Sequence, residues 1–554
     1  MATRDAACYV WDFWWMAHSV EHFNFPWSTT YLAAPGGTQF GLHALMPLLG
    51  VVMMPVTVLF GPSASFNLVS IALPGLLAYA MYRVARLWLQ SQIAAIAAGA
   101  FFGFSAIVDL WAWIHLNLAA GALFVPLALE AAVRMRRRPG PRQAVTLGLV
   151  LGAGVLVDQD SAVMAAILAG AAVVPWLVGR PVPGDPADDS IAARTLRARR
   201  WRRLLPTALA GATTAVVASP QLVAIADEAK VGGPVKPTAA TSYLHGAGLP
   251  SFFEPSPRVT DFGLHIPHAA GFFTYGTVLS VLAVAGLILS WRQRRAWWLA
   301  GAWLGATLLA LGSDVHFSGH AYLLVPQVWH GARLSSVMPF TWLVRTPGLA
   351  TFRFPYRIGV VGLVPAAVLA GFAVNWFRQH AKPAMIAVFA IAVLEAGISR
   401  VPGESSMPTA LPAVERPIAA DRSASIVVDV PFGIRGGIGI IGQPFAPEAL
   451  VLATFDGHPV AEANLSRIPT TTDLSIRSEP FYAGLMRTQN GHNVSRPNLK
   501  AAAMNARSMD VGWVRLWTPN PLLQHYLLAT GFRFDYRAQG VSVYRLALAG
   551  GPST

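Results

Sequence analysis

Cysteine is almost missing from this sequence: Cys8 is the single thiol in 554 residues. An internal disulfide and a thiolate metal cluster are excluded on that ground, and Cys8 reads as an inert apolar side chain. Charge is scarce too. Charged residues make up 12% of the chain and hydrophobic ones 54%, whereas soluble domains carry about 25% charged residues. Most of the chain is therefore expected in lipid. Acids are the scarcer sign, 27 Asp and Glu against 41 Lys and Arg, for a net charge of +14. In a membrane protein such an excess marks topology, because Lys and Arg collect on the cytoplasmic side. It is not a nucleic-acid footprint here, since no nucleic-acid motif accompanies it. A secretory signal is missing as well, because charged and polar residues stand where its apolar core would be. Internal repeats are not detectable.

What is present is a series of apolar runs. A spanning helix needs about 20 mainly apolar residues. Ten candidates lie near 64–88, 91–108, 116–134, 143–157, 161–179, 204–226, 270–291, 296–312, 356–377 and 383–399, with 143–157 and 296–312 short. The basic residues alternate with them. Arg83 and Arg86 close the first run, Arg134 to Arg142 follow the third, Arg194 to Arg203 precede the sixth, Arg292 to Arg295 follow the seventh, and Arg378 and Lys382 follow the ninth. Every second loop is basic, so these loops are expected in the cytoplasm. Residues 1–63, the loops near 227–269 and 313–355, and the tail from about 400 then lie outside. A leading segment of that length without a signal would have to cross the membrane. The expectation is that a first span upstream is missing from this sequence. The stretch 40–61 is an alternative span, but Pro47 and Pro55 interrupt it, and a helix half-sunk in the outer interface is the preferred reading.

The outer segments hold the polar residues of interest. WDFWWMAHSVEHF sets Trp11, Trp14, Trp15 and His18 at helical spacing. Trp favours the headgroup zone, so an interfacial amphipathic helix is expected, with Asp5 just before it. Asp109, His115 and Asn117 crowd one outer turn. Asp158 and Asp160 sit between two apolar runs with almost no loop, where a carboxylate is costly unless paired or functional. They are placed to share a cation or hold a sugar's hydroxyls, or else to form a tight hydrated turn. Arg345, Arg353 and Arg357 run into a span from the side where positive charge is unusual. Their planar forks suit phosphate oxygens; snorkelling to headgroups is the simpler reading of one such arginine, but three on the side wrong for topology weigh against it. His245, Glu254, His265 and His268 fit no metal spacing and read as loop residues that line a groove. From about 400 the composition shifts. SIVVDVPF, GWVRLWT and VSVYRLAL read as strands, and PNLKAAAMNARSM and PLLQHYLLATG as helices, the second closed by Gly531. The layout is thus a first outer loop over 1–63, a membrane part over 64–399, and a small α/β domain over 400–554.

The order of these pieces resembles the GT-C class of polyprenyl-phosphate-sugar-dependent membrane glycosyltransferases, in particular bacterial mannosyl- and arabinofuranosyltransferase-like proteins. The resemblance is carried by RDAACYVWDFWWMAHSV, YLAAPGGTQFGLHALMPLLGVVMMPVTVLFGPSASFNL, GFSAIVDLWAWIHLNL, LLALGSD and FRFPYRIG, which cover most of the membrane part. It implies a polytopic helical membrane protein of the bacterial inner membrane with an extracytoplasmic active site, using a lipid-phosphate sugar donor and a glycan, lipid or protein acceptor. It further implies Asp5 as catalytic acid at the outer mouth, the class's own first span as the missing one, and inversion at the anomeric carbon. The class often carries a second outer acid where this chain has Asp109, His115 and Asn117, which leaves a divalent cation open. Arg353 and Arg357, backed by Arg345, are implied donor-phosphate ligands, and Asp158, Asp160 and His265 substrate ligands. A lipid-linked-sugar transporter or flippase, or a non-catalytic envelope-assembly scaffold, are the alternative functions.

Overall fold

The computed structural model describes residues 4–178, 201–234, 246–254, 273–317, 320–329, 332–346, 354–399, 410–423, 425–437 and 439–547. The chain divides into two compact units. One comprises Met1–Leu68, Pro220–Pro237 and Gly403–Thr554, and the other Val69–Ser219 and Thr238–Pro402. His245, His265, His268 and Arg353 lie outside the described residues.

Each of the ten apolar runs coincides with helix, but the helices differ in length from a uniform set of spans. Among the described residues, five are long and apolar enough to cross a membrane: Pro62–Ala85, Leu116–Arg137, Gln159–Leu177, Arg203–Lys230 and Pro355–His380. The run at 91–108 is a broken pair, Gln92–Gly103 and Ala106–Ile114, bent by 44°, and counts as a sixth if the pair is one span. The first half starts cleanly because the Ser91 side chain accepts from Ala94 N. Pro141–Val155 and Thr277–Leu289, 15 and 13 residues long, fall short of a full crossing.

Small residues let these helices approach. Gly286, on Thr277–Leu289, lies so near Gly359–His380 that a Cβ would overlap the carbonyl oxygen of Leu369. Close backbone approach through small residues is the usual packing device in lipid, where helices gain nothing from burying apolar surface. Backbone cannot swing aside as a side chain does. Gly286→Ala is therefore expected to cost about 1–3 kcal/mol, read as an earlier thermal unfolding of the detergent-solubilised protein. The same helix is capped from another element. Glu395 accepts from the free N–H groups of Thr277 and Val278 at 2.6 and 2.8 Å, a carboxylate at a helix N-terminus.

In the other unit, α1 (Arg4–Glu21) overturns one expectation. Ala6, Ala7, Tyr9, Val10, Trp11, Asp12, Phe13, Trp15, Met16 and Ser19 are all buried. A helix covered on every side is a core element, not one resting on a membrane surface. The helix α2 (Pro47–Phe60) does have two faces. Gly50 packs beneath Met16 of α1, while Val51, Val52, Val58, Leu59 and Phe60 are exposed. One face of α2 is thus covered, and the other is apolar and exposed. Pro47 opens α2 instead of breaking it, since the first turn has no use for its missing N–H.

The predicted strands and helices of the tail are present, at β1 (Ile426–Val430), a strand at Val511–Leu516, another at Val541–Leu546, and helices at Arg496–Ser508 and Pro521–Ala529. A fourth strand at Phe532–Ala538 completes the sheet, in the spatial order Phe532–Ala538, Val541–Leu546, Val511–Leu516, β1. The last two run parallel and the others antiparallel. A second, three-stranded sheet is made of β2 (Gly433–Gly436) between β3 (Gly439–Gly442) and β4 (Ala463–Asn464). It positions the site.

Candidate active site

The first turn of α1 carries Asp5, a favourable place for an acid because the helix dipole is positive there. Its Oδ1 accepts from Arg435 Nη1 at 3.0 Å and from Asn464 Nδ2 at 3.2 Å. These two residues are register partners on the parallel strands β2 and β4, so one strand pair delivers both donors side by side. The Asp5 and Arg435 side chains keep 24% and 31% of their surface exposed, so the pair is half-buried.

One turn deeper the chemistry becomes private. The Cys8 thiol donates to the Asn464 carbonyl at 3.0 Å. Another turn on, Asp12 Oδ1 lies 3.3 Å from His43 Nε2. Cys8, Asp12 and His43 bring their ligand atoms within 4.8 Å of one another, close enough to hold a metal ion. The hydrogen bonds argue against it. The backbone N–H of Ser466 donates to His43 Nδ1 at 3.1 Å, which puts the lone pair on Nδ1 and the hydrogen on Nε2, facing Asp12. A metal ligand needs that lone pair on Nε2. Burial, followed by the charge of Asp12, raises the Cys8 thiol well above its usual range, which keeps it protonated and inert. Burial likewise raises the Asp12 carboxyl against the lowering effect of His43. The trio is a satisfied buried network that braces α1 under Asp5.

In the second unit, Asp158 and Asp160 do not share a ligand position. Asp158 is the N-cap of Gln159–Leu177, with Ser161 N donating to Oδ2 at 2.8 Å and Asn117 Nδ2 to Oδ1 at 2.8 Å. Asp160 turns to Arg357, whose Nη1 reaches Oδ2 at 2.6 Å. The guanidinium of Arg357 lies over the Phe354 ring at 4.2 Å. Arg357, expected to meet a phosphate, is thus already matched by a carboxylate. Arg345 ends the short helix Pro339–Arg345 and stands over Trp342, 5.4 Å from the ring centroid. Asp109 lies in the first turn of Ala106–Ile114, and His115 at the break before Leu116–Ala122. Of that motif, Asn117 donates to Asp158.

Burial, and next the charge of Asp160, push Asp158 up to about 6. A carboxyl raised on folding holds its proton more tightly in the folded state, so its stabilising share is present at low pH and lost as pH rises through about 6. Asp158→Asn removes that titration. Wild type should gain thermal stability on acidification from pH 7 to 5 relative to this variant, and parallel melting curves across that range would show the assignment wrong.

Sequence reasoning did not reach Arg435, Asn464, Asp12 or His43. The signal for Asp12 was available: an acid inside the aromatic run VWDFWW belongs in a core only with a partner.

No protein-family model matches the chain, and no curated protein is detectably similar to it in sequence. Solved structures do match. The arabinofuranosyltransferase AftD from Mycobacteria aligns with 99% of this chain at 14% identity and a TM-score of 0.55. The chain spans only 38% of that protein's length. ArnT from Cupriavidus metallidurans, solved with undecaprenyl phosphate bound, aligns with 100% of this chain and 95% of its own at 13% identity, TM-score 0.51.

Proposed function

We propose that this chain, which has the GT-C fold of those membrane glycosyltransferases, transfers a sugar from a polyprenyl-phosphate donor to a hydroxyl of a cell-envelope glycan, lipid or protein. The reaction takes place on the extracytoplasmic face of the bacterial inner membrane and inverts the anomeric carbon. Asp5 is the general base. The observation that carries the reading is the Asp5 carboxylate itself, partly open and held by two donors at the head of a buried helix. The acceptor hydroxyl must lose its proton as it attacks, and a fixed carboxylate within hydrogen-bond reach receives it. The orientation is supported by the Asp5–Arg435 pair, which joins the first and last parts of the chain in one unit, as the arginine pattern of the loops requires of two outer segments.

Arg357 is proposed to bind the donor phosphate by exchanging Asp160 for it, with Arg345 and Arg353 in support. Asn117, Asp158 and Asp160, with Asp109, His115 and His265, are proposed substrate ligands. The residues 400–554 form the outer α/β domain in this reading. The test supplies membranes containing the full chain with radiolabelled sugars linked to undecaprenyl phosphate. Label should pass to a lipid or glycan fraction, and Arg357→Ala should raise the donor KM by about tenfold, the worth of one charged hydrogen bond. No transfer from any lipid-linked pentose or hexose would remove the reading in favour of a transporter or a scaffold.

A further inference from the structure

We propose that Arg435 is a catalytic cation that receives the leaving phosphate, released to that task by protonation of Asp5. The inference rests on the glycosyl-transfer reading above and assigns it a residue from outside the membrane helices. A guanidinium has five N–H donors. Among the described residues, Arg435 spends one of them on a side chain, Nη1 on Asp5, and the group is 31% exposed. Its strand partner Asn464 holds the same Asp5 oxygen, so the carboxylate keeps a tether when the arginine turns away.

The charges then balance through the step. Before reaction, Asp5 is anionic and Arg435 cationic, and each neutralises the other. The acceptor oxygen forms its bond to the anomeric carbon while its proton passes to Asp5. The bond from that carbon to the phosphate oxygen breaks, and its electron pair stays on the phosphate, which goes from a singly charged diester to a monoester with a second charge to accommodate. Neutral Asp5 no longer competes for the guanidinium at the moment when the phosphate gains that charge. The interaction is therefore stronger in the transition state than in the ground state, which is the condition for it to accelerate the reaction.

A purely structural ion pair predicts that removing either partner has the same effect. The proposal predicts opposite effects. The full-length protein in nanodiscs is titrated with undecaprenyl phosphate, the lipid product, and binding is followed by tryptophan fluorescence. Arg435→Gln is expected to weaken binding by about tenfold or more, the worth of a charged hydrogen bond. Asp5→Asn is expected to bind as tightly as wild type or tighter, because a competitor for the guanidinium has lost its charge. Should Arg435→Gln fail to fold, Arg435→Lys replaces it: a point charge in place of the fork weakens binding severalfold, and unchanged binding overturns the proposal. Unchanged binding in Arg435→Gln, or equal weakening in both variants, also overturns it and leaves the glycosyl-transfer reading standing. Absence of binding by wild type overturns the proposal together with the lipid-phosphate donor.

Discussion

Replacing Arg515 with methionine is expected to destabilise the unit that contains it by about 3–5 kcal/mol, the cost of leaving buried charges without their partner. Arg515 is completely buried. Its Nε and Nη2 hold the two oxygens of Asp429 at 2.9 and 2.7 Å, and its Nη1 holds Glu415 at 2.7 Å. The parallel register sets Arg515 beside Asp429, so the strand pairing and the ion pair specify each other. Methionine fills much of the stem's volume but leaves two carboxylates in a dry core. The surroundings amplify the loss, because Glu462 is buried and Asp456 half-buried in the same core. Burial first, then neighbouring carboxylates, raise both well above the usual range. Glu415 instead is held low by Arg515 against the push of burial. Raised carboxyls bind protons more tightly folded than unfolded, so their contribution is complete in acid and fades as pH rises through their raised values. The melting temperature of wild type should therefore fall on alkalinisation above the ordinary carboxylate range. Glu462→Gln, which mimics the protonated form, should flatten that fall. Hydrogen exchange at Val511–Leu516 reads the unit locally. Slow exchange retained in Arg515→Met would show that the core does not depend on this cation.

How far the sequence discloses such features depends on whether they are periodic. The strand Ile426–Val430 is a β-branched run, and the helix Pro521–Ala529 is bounded by Asn520 and Gly531; both follow from local rules. The apolar runs likewise fall on helix, but do not give the lengths, because a helix such as Thr277–Leu289 is cut by Gly276 before it and by polar Ser290 after it. Long-range pairing is invisible at that level. GIRGGIG contains an arginine among glycines, with no period to interpret, and its meaning arises only from register with Asn464. The tryptophans of α1 announce a helix without announcing its surroundings, since Trp serves both interfaces and cores. Arg357 shows the same limit. Its charge is legible, while the Asp160 that neutralises it comes from a distant turn.

Asp5→Asn should lower kcat for sugar transfer by about 10²–10⁴-fold, the usual contribution of a positioned general base, with little change in donor KM. The substitution is nearly isosteric, and its carbonyl oxygen still accepts from Asn464 where Asp5 Oδ1 does now. The bracing beneath it, from Cys8 through Asp12 to His43, does not involve the altered atom. Folding should therefore survive, and the melting temperature provides the control. What is lost is the capacity to accept a proton, an event that belongs to the transition state and not to the bound ground state. An interaction made only there appears in kcat and kcat/KM equally. A residue that merely closed the fold would lower expression or melting temperature, and one that merely bound donor would raise KM. Each alternative leaves a different mark on the same assay. Full turnover in Asp5→Asn would move the base elsewhere, to be sought among the acids of the outer turns of the membrane unit, Asp109, Asp158 and Asp160, the last of them bonded to Arg357.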